Sequence, residues 1–218
     1  MISAVLNSAD SVLRGRLGAR HLARLAALVV LFGMFYGAVM GTFSATSWAR
    51  SSQVVYAAVK VPLMLLATFL ISLPSFFVLN TLVGLRRDFA DAVAALISTQ
   101  AALTIILASL APMTALWYLS DSNYNRAILF NGLMFAAASF SAQFLLRRLY
   151  RRLIERDPRH RILLRLWIVI YVFVGIQMGW LLRPFIGSPL AETRFFREGA
   201  FSNAYVVVMR LMRDALAR

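Results

Sequence analysis

Hydrophobic and polar positions in this chain segregate over whole segments instead of alternating residue by residue. Apolar runs occupy about 22–46, 54–85, 89–119, 127–146 and 162–182, and short arginine-bearing stretches separate them. Each run holds the ~20 apolar residues needed to cross about 30 Å of hydrocarbon. Backbone groups in lipid must be hydrogen-bonded within their own segment, so these runs predict membrane-spanning helices. Nothing in the pattern has the alternating ten-residue segments of a membrane barrel. The predicted fold is all-α: a polytopic bundle of five spans in a single membrane domain over residues 1–218, since no linker divides two cores.

The two ends of the chain carry weaker patterns. Residues 1–21 are mildly amphipathic and basic, which predicts a short helix on the inner membrane surface. Ser47-Trp48-Ala49 resembles a signal-peptide cleavage site, but the leader would be about twice the usual 15–30 residues. The first run therefore reads as an uncleaved span. Residues 184–218 predict a re-entrant segment or outer turn and a short C-terminal helix. The apolar part of that helix, Ala204 to Met212, is short for a crossing. A tilted sixth span is favoured over an interfacial helix, because it puts Arg210, Arg213 and Arg218 with the other arginines.

Composition agrees with the pattern. The chain is 61% hydrophobic, against about 45–50% for a soluble domain. It has no cysteine, which excludes a disulfide framework and thiolate chemistry. A net charge of +14 would suggest nucleic acid in a soluble protein, but here the arginines crowd the ends of apolar runs. Nucleic acid is therefore not an expected partner. The ratio of 22 arginines to one lysine, with abundant alanine, suggests a GC-rich bacterial genome. Before the fifth span ends, 14 cations fall on one set of alternating connections and 3 on the other. That bias predicts a cytoplasmic N-terminus in a bacterial inner membrane.

Several polar residues interrupt this plan. Lys60, near the outer end of the second run, is expected at the membrane boundary with its ammonium sent outward. The sharper reading is a cation facing an outer cavity, with Asp121, Glu192 and Glu198 as candidate partners. Pro62 falls near the start of that run, whereas Pro74 is well inside it and Pro112 is inside the third, so these two are expected to kink their helices. Asn80, Gln100, Asn131, Gln143 and Gln177 should point inward, either as glue between helices or lining a polar path. Arg183 to Gly187 predicts a turn, or a re-entrant segment packed against Lys60 and Pro74. Phe195, Phe196, Trp48, Trp117 and Trp180 fit an interfacial belt.

The densest charge cluster runs from Arg147 to Arg165. Arg147, Arg148, Arg151, Arg152, Arg156, Arg159 and Arg161 are candidates for holding anionic lipid headgroups or an acidic protein partner, beyond setting orientation. Asp157-Pro158 is expected to be a turn between two helix extensions. No catalytic arrangement is visible. His21 and His160 both lie in basic flanks, no metal-ligand spacing or phosphate-binding glycine loop occurs, and no acid sits at mid-depth. No enzyme activity, cofactor or metal is expected.

The stretch VKVPLMLLATFLISLPSFF at 59–77 and LASLAPMTALW at 107–117 resemble the proline-bearing second and third helices of Yip-type small polytopic membrane proteins. GIQMGWLLRPFIG and FFREGAFSNAY also resemble a bacterial multi-pass family without an assigned activity. The resemblance implies partners in trafficking or bilayer shaping, and no catalytic residues. The leading expectation is a non-enzymatic membrane protein that organises lipid or protein partners, or copies of itself, through the arginine cluster. The alternative is a small channel or transporter with its outer mouth near Lys60 and Pro74.

Overall fold

A computed structural model describes residues 19–44, 51–187, 193–197 and 205–206. Its helices are α1 Ala19–Gly41, α2 Ser52–Leu82, α3 Phe89–Ser120, α4 Tyr124–Arg156 and α5 His160–Leu182. Short 3-10 turns follow α1 at Thr42–Ser44 and precede α3 at Arg86–Asp88. There is no strand among the described residues. All five helices are long and apolar enough to cross a membrane, so the chain is a multi-pass membrane protein.

Packing follows the order α5–α2–α1–α3–α4, with α4 and α5 meeting only sparsely to close the ring. Helix α3 is the best covered: 67% of its most apolar window is buried, against 17% for α5. Its sequence explains this, because Ala92, Ala94, Ala95 and Ala101 let neighbours approach on several sides. One continuous apolar core runs through all five helices.

The α1–α2 seam is tighter still. Gly33, Gly37 and Gly41 fall at every fourth position, on one face of α1. A Cβ at Gly37 would lie 2.4 Å from the Ala57 carbonyl oxygen, and one at Gly41 2.7 Å from the Val54 Cα. Only glycine allows the two backbones this close. In lipid, where apolar burial does not drive helices together, such contact supplies the adhesion.

The ends are capped by local chemistry. Gly84, at φ +81°, ends α2, with the Leu85 amide donating to Asn80 O at 2.8 Å and the Gly84 amide to Thr81 O at 3.1 Å. This double bond pattern satisfies carbonyls that the last turn leaves open. Asn123 caps α4 by accepting from the amides of Asn125 and Arg126 at 3.0 and 3.2 Å.

Several boundaries differ from the expected runs. Helix α4 continues ten residues past Leu146, so most of the arginine cluster is helix, with a turn only at residues 157–159. The reason is a stripe of Leu146, Leu149, Tyr150 and Leu153, which stays buried while the arginines face out. Helix α2 begins at Ser52, which makes Pro62 interior instead of a first-turn residue. Helices α2 and α3 run unbroken through Pro62, Pro74 and Pro112. Buried Pro62 packs near Gly33, while Pro74 and Pro112 are both exposed.

The surface helix expected over 1–21 lies outside the described residues, except that Ala19–His21 already belong to α1. The expected helix over Ala204–Met212 is described only at Tyr205 and Val206, which are helical. There the Tyr205 hydroxyl donates to Phe173 O at 2.7 Å and its ring stacks on Phe173 at 4.5 Å.

Candidate functional site

Two places gather the polar chemistry, one at each end of the bundle. At one end, α2, the start of α4 and the residues after α5 converge on Lys60. Lys60 lies about 12 Å along α2 from Ser52 at the helical rise per residue. Its side chain is 0% exposed, so it does not reach outward to water. Instead the ammonium donates to Pro184 O at 2.8 Å and lies 4.9 Å from the centre of the Phe195 ring. A buried cation is tolerated when a carbonyl dipole and an aromatic face replace its hydration.

The same turn is held at two further carbonyls. Gln53 donates to Phe185 O at 2.9 Å, and the Tyr124 hydroxyl to Ile186 O at 3.5 Å. Residues 183–187 thus fold back over the helix ends, as a segment pinned by side chains of α2 and α4. Its Arg183–Pro184 peptide is cis. The Arg183 guanidinium lies over the Trp180 ring at 3.3 Å. Burial first, and then the charge of Arg197, lowers the pKa of Arg183 from its usual value.

Two expectations about this end need correction. Pro74 lies about 21 Å further along α2 than Lys60, and it is exposed, so no mouth contains both. Asp121 is not the partner of Lys60, because it pairs with Arg126 at 3.1 Å. Glu192, Glu198 and Trp48 lie outside the described residues. Phe195 packs edge-on to Tyr56 at 5.4 Å, and Trp117 stacks on Phe130 at 4.5 Å.

The intramembrane amides take separate positions. Asn131 of α4 is 1% exposed and joins three helices: it accepts from Tyr36 at 3.1 Å and donates to Tyr118 at 2.6 Å and to Ala127 O at 2.8 Å. Gln100 of α3 donates to the Tyr171 hydroxyl of α5. Asn80 donates to Phe76 O of its own helix at 2.9 Å. Gln143 shares the lining of a small cavity of about 60 Å³ with Gln100 and Tyr171, and Gln177 is half-buried on α5. Asn131 lines a different cavity, so these amides do not meet in one space.

At the other end the arginines divide into two kinds. Arg156 bridges Asp88 at 3.4 Å and Asp91 at 3.1 Å, and Arg159 donates to Val83 O at 3.0 Å while pairing with Asp157 at 2.9 Å. His160, fully buried, sits 3.2 Å from Asp88. These contacts clamp the α2–α3 connection against the α4–α5 turn, so Arg156 and Arg159 belong to the architecture and not to a free binding face. The hydrogen bonds between Arg159 and Asp157 hold the Asp157 carboxyl below its ordinary pKa and raise the Arg159 guanidinium.

Arg147, Arg148, Arg151, Arg152, Arg161 and Arg165 are exposed. Arg151 makes an exposed pair with Glu155 at 3.5 Å, of the kind worth about 0.3–0.5 kcal/mol on a helix. Arg147, Arg148, Arg161 and Arg165 pair with no side chain among the described residues. Arg86 and Arg87 are exposed at the same end and extend this surface. Sequence reasoning missed the division, although Asp88 and Asp91 on the neighbouring connection were its visible signal. No family model, curated protein or solved structure matches the chain.

Proposed function

We propose that this protein is a non-enzymatic component of a bacterial inner membrane that gathers anionic lipid at its arginine-rich end, with that end and the N-terminus in the cytoplasm. The observation that carries the reading is the helical extension of α4: its apolar stripe is buried, so Arg147, Arg148, Arg151 and Arg152 stand on a rigid surface beside Arg161 and Arg165. Each cation near an anionic leaflet contributes about 1 kcal/mol. A solute path has less to support it, because Asn131, Gln100 and Asn80 each engage a tyrosine or their own helix. The resemblance to Yip-type proteins would make bilayer shaping the consequence of such lipid capture.

The test is the selectivity of the protein's lipid shell, read with spin-labelled phosphatidylglycerol and phosphatidylcholine in reconstituted vesicles. Replacing Arg147, Arg148, Arg161 and Arg165 by Gln should remove most of the preference for the anionic lipid and should leave the Arg156 clamp intact. An unchanged preference would overturn the reading and turn attention to an acidic protein partner.

A further inference from the structure

At the Lys60 end, α1, α2, α4 and the residues after α5 surround a cavity of about 440 Å³, within the ~300–1,000 Å³ usual for ligand pockets. Met40 of α1, Met64 of α2 and Phe135 of α4 form its walls, and Pro184 to Ile186 cross its top. The cavity is not closed. Ile128 and Gly132 on the α4 wall are exposed, and a Cβ on Gly132 would meet nothing within 4 Å. From Ile128 to Phe135 the wall descends about 10 Å. One amide, Asn131, reaches this depth, but its N–H groups already serve Tyr118 and Ala127 O, and its carbonyl accepts from Tyr36. The lower cavity therefore presents an apolar surface.

The rim has the opposite character. Arg183 and Arg197 both line it. The Arg183 Nε is buried without a hydrogen-bond partner. The positive charge of Arg197 acts against that of Arg183. Among the described residues the acid at this end is Asp121, already bonded to Arg126. Two cations on one rim with no carboxylate beside them among the described residues repel, and an anion between them relieves that repulsion.

An inorganic anion would satisfy the rim and leave an apolar hollow open to the bilayer. A neutral hydrocarbon would fill the hollow and leave the cations unmatched. We infer that the cavity binds one anionic phospholipid, with its phosphate between Arg183 and Arg197 and an acyl chain entering past Gly132 toward Phe135. The cations lie beyond the end of α5 and the apolar part lies deeper, so the bound lipid keeps the orientation it has in its own leaflet. This site is at the opposite end from the arginine face and does not depend on it.

The test is native mass spectrometry of the full-length protein in mild detergent, titrated with phosphatidylglycerol or phosphatidylcholine of identical chains. The wild type should retain one phosphatidylglycerol, and bind phosphatidylcholine on the order of tenfold more weakly. The double variant R183Q/R197Q, made on the four-arginine variant so that the other end adds no preference of its own, should lose that preference. Gly132→Leu, which has open space for its side chain, should weaken retention of both lipids. Circular dichroism checks that each variant is folded. If R183Q/R197Q does not fold, Gly132→Leu alone decides. Equal affinity of the wild type for the two lipids, undiminished phosphatidylglycerol retention in a folded variant, or displacement by inorganic phosphate alone would overturn the inference. The four-arginine variant at the other end should keep this single lipid, which separates the two sites.

Discussion

Along the α1–α2 seam, glycines at every fourth position bring two backbones into contact, and a Cβ on Gly37 would strike the Ala57 carbonyl. Along the α4–α5 seam, contact is sparse and a small cavity opens beside it, while on the α4 wall of the larger cavity Gly132 faces empty space. Glycine serves opposite ends at the α1–α2 seam and on the α4 wall. In lipid, two apolar helices gain nothing by leaving the hydrocarbon, so they adhere only where close packing or hydrogen bonds hold them. The first seam has such packing along its length. The second depends on fasteners from other elements: Asn131 tying α4 to α1 and α3, Gln100 reaching Tyr171, and Lys60 pinning the turn after α5.

The sharpest way to break the comparison is the same substitution at Gly37 and at Gly132. Gly37→Ala should destabilise the protein by about 1–3 kcal/mol, the usual cost of overpacking. Gly132→Ala should be neutral or stabilising by up to about 1 kcal/mol, since alanine is the better helix former and nothing obstructs its methyl. Chemical unfolding followed by circular dichroism reads both. Equal effects would show that the packing around the two glycines does not differ as described.

A smaller effect is expected from Lys60→Met, which keeps the stem and removes the ammonium. Hydrogen bonds to charged groups are worth about 1.5–3 kcal/mol, so residues 183–187 should loosen. Hydrogen exchange should rise by about tenfold in this turn, while α1 and α2 stay protected. Unchanged exchange at the turn would mean that Gln53 and Tyr124 hold it without the lysine.

The smallest effect belongs to the turn that joins α4 to α5. Asp157 has a lowered folded pKa, caused by its hydrogen bonds with Arg159. Its contribution is present above the ordinary carboxylate pKa of about 3.9, and is lost as pH falls through the lowered folded value. The wild type should lose stability in that acidic window slightly more than Asp157→Asn, which does not titrate. Melting curves from neutral to acidic pH should show the two proteins converging. Parallel curves would assign the turn's hold to Arg159 and Val83 alone.

The number and order of the spans were legible, because a segment that crosses lipid must be apolar for its whole length. Lys60 was not legible. Its sequence position near a span end suggested outward snorkelling, but whether a stem turns to water or inward depends on the neighbours, and here the Pro184 carbonyl waits 2.8 Å away. Arg156 and Arg159 looked like their exposed neighbours until Asp88, Asp91 and Val83 were seen beside them.

Hydropathy and turn residues determined a five-helix membrane bundle, the α4–α5 turn, and Asn80, Gln100 and Asn131 as inward-facing groups. These are properties of single segments against a uniform solvent, so one chain of letters carries them. Tertiary structure alone decided which glycines touch, which arginines are clamped and where a cavity stays open. Those outcomes depend on pairs of residues far apart in sequence, and lipid, being as apolar as the helices, imposes no pattern from which the pairs can be read.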